Sequence, residues 1–69
     1  MADELAHLAQ ADRHIARAKE HIRQQEQLIG RLISMGRHVV EAESFLSVLT
    51  DVLSTFERHR LLILERLKA

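Results

Sequence analysis

The sequence predicts an all-α fold, a two-helix antiparallel hairpin that dimerises into a four-helix bundle. Three observations point there. Apolar residues recur in alternating three- and four-residue steps on both sides of the chain's middle, no proline interrupts either stretch, and the stretches meet at Ser34-Met35-Gly36-Arg37-His38. The expected organisation is a single helical-hairpin domain over residues 1–69, with a first helix over about 3–35, a turn at 36–38 and a second helix over about 39–68.

The first helix starts at Asp3, whose carboxylate suits the N-cap, and Glu4 adds negative charge at the positive end of the helix dipole. Its apolar seam is Leu8, Ala11, Ile15, Ala18, Ile22, Gln25, Ile29 and Leu32. The recurring alanines let a neighbouring helix come close. Gly30 falls inside this helix and costs about 1 kcal/mol relative to alanine; it reads as a tolerated surface glycine.

Gly36 suits the residue just past a helix C-terminus, where a left-handed backbone is needed and a Cβ would clash. The second helix has a weaker start. His38 is a poor N-cap, although Glu41 three residues on can reach back as half of a capping box. Its seam is Ala42, Leu46, Leu49, Leu53, Phe56, Arg60, Ile63 and Leu67, flanked by Phe45, Val48, Val52, His59 and Leu62. This stripe is wider than one neighbouring helix can cover, which points to a second hairpin.

A single continuous helix is the competing architecture. Carrying the first seam across Gly36 puts Glu43, Thr50 and Glu57 in one of its columns, so the phase slips at the glycine. Folding back instead pairs positions whose numbers sum to about 73. That register brings Arg31 near Glu41 and Glu43, Arg23 near Asp51, Asp12 near Arg60, and Glu4 near Lys68. All are attractive pairs, worth at most about 1 kcal/mol each when exposed, so they select register rather than drive folding.

A chain of 69 residues leaves roughly 40% of its unfolded surface exposed even when compact. With no cysteine there is no disulfide or thiolate metal site to staple it, which shifts the weight to self-association. The expected core is Leu8, Ile15, Ile22, Ile29, Leu32, Phe45, Leu46, Leu49, Val52, Leu53, Phe56, Ile63 and Leu67. The expected self-association interface is the part of that list on the second helix: Phe45, Leu46, Leu49, Val52, Leu53, Phe56, Ile63 and Leu67.

Ten basic residues balance ten acidic ones, and each half of the chain is separately neutral, which argues against broad attraction to nucleic acid or anionic lipid. Two phenylalanines are the only aromatic residues of the Phe, Trp and Tyr class. Stacking platforms for single-stranded bases are therefore not expected. Met1-Ala2-Asp3-Glu4 lacks the layout of a secretory signal, and the longest apolar run, Leu61–Leu64, is far below the ~20 residues of a membrane span. The expected localisation is cytoplasmic, with no membrane partner.

His7, His14 and His21 recur every seven residues beside the first seam. Neighbours are then about 10 Å apart along one helix, too far to share a metal. The fold-back register places His14 near His59, which makes those two the candidate metal ligands, but amphipathic edge residues are the simpler reading. If they line an interface, protonation would weaken it. Gln10, Arg13, Arg17, Gln24, Gln27 and Arg31 form the polar outer face of the first helix, and Arg13, Arg17, Gln24 and Arg31 are the candidate RNA face. Glu20 interrupts it. Ser44, Ser47, Ser54, Thr50 and Thr55 lie on the polar side of the second helix, without the base and oxyanion site that nucleophilic catalysis needs. No catalytic residue and no cofactor is expected. Gln25 and Arg60 are the polar members of the seams; Arg60 is expected to extend its guanidinium outward toward Asp12.

The stretch Leu8-Ala9-Gln10-Ala11-Asp12-Arg13-His14-Ile15-Ala16, with His21-Ile22-Arg23-Gln24-Gln25 and Arg58-His59-Arg60, resembles a group of small uncharacterised proteobacterial helical proteins with an "LAQADRHI" opening. The resemblance implies no activity. The expected function is that of a non-enzymatic, self-associating helical interaction or structural module, with a homodimer as the partner state. The alternatives are an RNA-binding hairpin dimer and a docking face for a helix of another protein.

Overall fold

More than thirty residues without proline, with an apolar residue on one face at every turn, sustain an uninterrupted helix. The structure is a computed structural model that describes residues 2–69. It contains α1 (Ala2–Ser34) and α2 (Val40–Lys68), folded against each other into an all-α hairpin of 53 × 14 × 12 Å. Among the described residues, no helix is long and apolar enough to cross a membrane.

The reversal is set by Gly36, whose φ is +68°. Around it the C-terminal carbonyls of α1 find partners in a Schellman arrangement: the Gly36 amide donates to the Ile33 carbonyl and the Arg37 amide to the Leu32 carbonyl, each at 2.9 Å. The Ser34 hydroxyl donates at 2.9 Å to Arg31 O, which also accepts the Met35 amide at 3.1 Å. A left-handed residue is required here, and glycine takes that conformation without the Cβ penalty.

The helix starts differ from expectation at both ends of the chain. Asp3 lies inside the first turn of α1 with Glu4 instead of capping it, so both carboxylates act through the helix dipole. At α2 the N-cap is Val39, with φ −121° and ψ 2° and no side-chain cap hydrogen bond. The helix begins one residue later than a His38 cap requires. Glu41 then stands at the second helical position and Ala42 at the third, where a capping box needs its carboxylate. Glu41 and Glu43 remain in the first turn and favour its positive end.

The hairpin's core follows both seams. Every seam residue of α1 and of α2 is at least partly covered. Full burial is confined, among the described residues, to Ala11, Ala18 and Ile63, the last with no exposed area at all. The two alanines outrank the larger residues of the expected core because a methyl group lets the partner helix close over it. Phe45 and Val52, expected inside, are 53% and 38% exposed. They stand beside the line where α1 meets α2, and one helix cannot cover both the seam and its flank.

The cross-helix register also departs from the expected one. Asp12 meets Arg60 as expected, but Glu4 meets Arg66 instead of Lys68, Arg23 pairs with Glu20 of its own helix, and no ion pair of Arg31 with Glu41 or Glu43 occurs among the described residues. Gln25 reaches Ala42, and His14 reaches Phe56. Arg37, His38 and Val39 are not helical. Non-helical chain rises up to about 3.3 Å per residue against about 1.5 Å in a helix, so this connection carries α2 further back along α1 than a symmetrical fold about Gly36.

The two glycines are expected to respond oppositely to alanine. A Cβ at Gly30 meets nothing within 4 Å, and Gly30→Ala should stabilise the fold by about 1 kcal/mol through helix propensity. Gly36→Ala should destabilise it by about 1 to 2 kcal/mol because φ is positive there. Urea denaturation followed by circular dichroism measures both.

Candidate self-association face

The α2 flank carries Phe45, Val48, Val52 and Leu62, which are 53%, 54%, 38% and 47% exposed. With Thr55 and His59 between them, these positions recur in steps of three and four residues, which keeps them along one side of the helix. Two adjoining grooves run on this side of the hairpin. One is lined by Leu28, Arg31, Phe45 and Leu49 with His21, Gln24 and Gln25; the other by His14, Arg17, Ala18 and His21 with Leu49, Val52 and Phe56. The two share His21 and Leu49, so they form one continuous trough. The first measures about 390 Å³ and the second about 260 Å³, and both are open to solvent.

The opposite flank has a different character. Its groove is lined by Asp12, Lys19, Glu57 and Arg60 around Ile15 and Leu61. That side thus carries more charged residues, and its Leu61 is 58% exposed.

The structure divides the residues expected at the interface. Ile63 is wholly enclosed within the hairpin and offers nothing to a second chain. Leu46, Leu49, Leu53, Phe56 and Leu67 are half-covered by α1, whereas Phe45 and Val52 stay open. Val48 and Leu62, flankers in the sequence pattern, are as open as these two and belong on the face. Leu28 of α1, 37% exposed, also joins it and was missed because it stands outside the α1 seam. Its signal was the seven-residue step from His21.

The polar candidates fall beside this trough. His14 packs its ring against Phe56, with centroids 5.1 Å apart and planes inclined at 35°. His59 is exposed; among the described residues no group of three or more His, Asp or Glu side chains is placed to hold a metal ion. His7 Nδ1 lies 3.8 Å from Glu4 Oε1, and Arg66 Nη1 lies 3.9 Å from Glu4 Oε2. Both distances exceed a hydrogen bond, which leaves Glu4 Oε2 enclosed without a hydrogen-bond partner. Of the arginine and glutamine row, Arg17, Gln24 and Arg31 line the trough, and Arg13 is exposed outside it. On α2, Thr50 and Thr55 donate their hydroxyls back to the Leu46 and Asp51 carbonyls, at 2.9 and 3.1 Å.

The two polar seam residues are satisfied in different ways. Gln25 Nε2 donates to the Ala42 carbonyl at 2.9 Å, tying the middle of α1 to the first turn of α2. Arg60 Nε donates to Asp12 Oδ1 at 2.6 Å with both side chains substantially exposed. Solvent screening keeps such a pair weak.

Gln25→Ala is expected to cost about 1 kcal/mol by removing a part-buried hydrogen bond. Asp12→Asn should cost less than about 1 kcal/mol, and Arg60→Leu should leave the solution mass unchanged. Urea midpoints and sedimentation check these expectations. Comparison of the chain with protein-family models, with curated proteins and with solved structures finds no match.

Proposed function

We propose that this protein is a self-associating helical module, without catalytic activity of its own, whose hairpins join through the α2 flank. The observation that carries this reading is the row of Phe45, Val48, Val52 and Leu62 left open after α1 has seated. An extended apolar row rimmed by polar groups is the usual form of an interaction surface. Here the rim is Arg17, Gln24 and Arg31 on the α1 side of the trough.

Energetics point the same way. Full burial of a valine, leucine or phenylalanine side chain contributes about 1.5 to 3 kcal/mol, and these four are only partly covered. Three fully buried side chains among the described residues, two of them alanines, make a small core. A second chain on this flank supplies the missing burial. The arginines and glutamines serve in this reading as the polar edge of a protein contact rather than as an RNA face.

Sedimentation equilibrium is expected to give about twice the 8.0 kDa chain mass. Val48→Glu should give a helical monomer, since it alters an exposed residue and leaves the seam intact. Phe56→Ala, which also removes the ring packed on His14, should dissociate or unfold the protein. A wild-type chain that is folded and monomeric would overturn the proposal. A salt-dependent gel shift lost on Arg13→Glu and Arg17→Glu would replace it with RNA binding.

A further inference from the structure

We infer that the second copy seats antiparallel, with α2 lying on the α2 of its partner about a two-fold axis between Val52 and Thr55. This rests on the self-association proposed above and adds its geometry. The α2 flank extends beyond its apolar residues at both ends: one step before Phe45 is Glu41, and one step after Leu62 is Arg66. The flank thus begins with an exposed acid and ends with an exposed base.

Laid antiparallel on a copy of itself, this side sets opposite charges together at both ends. Glu41 falls opposite Arg66 of the second copy, Phe45 opposite Leu62, Val48 opposite His59 and Val52 opposite Thr55, because each pair of numbers sums to 107. A two-fold axis repeats each pairing, so both ends close with opposite charges, Phe45 meets Leu62, and the central valines meet His59 and Thr55. Laid parallel, the same flank sets Glu41 against Glu41 and Arg66 against Arg66. Like charges directly opposed are destabilising, so the sequence selects against that arrangement.

Arg66 already faces Glu4 of its own hairpin and still has donors to spare. Its guanidinium is 3.9 Å from Glu4 Oε2, beyond hydrogen-bond reach, and its side chain is 60% exposed. Five donors on one guanidinium allow it to face both carboxylates. The α1 row adds a second bias. Arg17 and Arg31 on that side of the trough repel their counterparts on a second α1, which leaves α2 against α2 as the closest approach. From Glu41 to Arg66 the flank is about 38 Å long. A standard interface takes about 800 Å² from each partner, about a seventh of the hairpin's 5435 Å².

The absence of cysteine makes the register directly readable, since one introduced thiol per chain reports alone. Glu41→Cys and Arg66→Cys are prepared separately, checked for dimer mass, and treated with a short thiol-specific cross-linker alone and after mixing and refolding. The expected result is a linked heterodimer in the mixture and no linked product in either variant alone. In the mixed dimer the other end keeps its Glu41 to Arg66 pair, so assembly is retained. Cross-linking within either variant alone would overturn the antiparallel arrangement in favour of a parallel one. A wild-type dimer with no link in any sample would overturn this inference and leave self-association standing through another face. A monomeric wild type would overturn both.

Discussion

Two helices meet along a single line, and α2 carries apolar side chains along two. The first line is the seam from Ala42 to Leu67, which α1 covers. The second is the flank from Phe45 to Leu62, which it does not. This mismatch follows from composition: alanine at positions 11 and 18 makes α1 slim enough to lie close, and too slim to spread. The grooves, the exposed row and the small core are three results of the same shortage of covering surface.

The polar residues within the seam act on specificity more than on energy. Gln25 fixes α1 to the backbone of α2 near the turn, and Arg60 with Asp12 holds the register further along. A seam built only of leucine and alanine could slide by a turn at little cost. These two contacts, with the ring of His14 against Phe56, make one alignment preferable.

Much of this was legible in the sequence. Three-four spacing picked out every seam residue, because helix geometry alone decides which side chains share a line. Gly36 was legible as the turn because a left-handed residue past a helix end favours glycine. The register was legible only in part: Asp12 and Arg60 meet, but the reach of long side chains and the rise of the Arg37–Val39 connection are not encoded in a count of positions. The start of α2 was misplaced by one residue because no capping side chain marks it. On the candidate face, Phe45 and Val52 were legible from the width of the stripe. Sorting them from Ile63 required knowing how far around α2 the first helix reaches.

The two ends of the connection are held unequally. On the α1 side the amides of Gly36 and Arg37 are bonded back into the helix, whereas on the α2 side Val39 offers no side-chain acceptor. The α2 end of the connection is thus defined by backbone alone, with the Glu43 amide donating to the Val39 carbonyl at 2.8 Å. In a rod 53 Å long, the angle set there decides where the far tips lie, and Glu4 faces Arg66 across them at 3.9 Å.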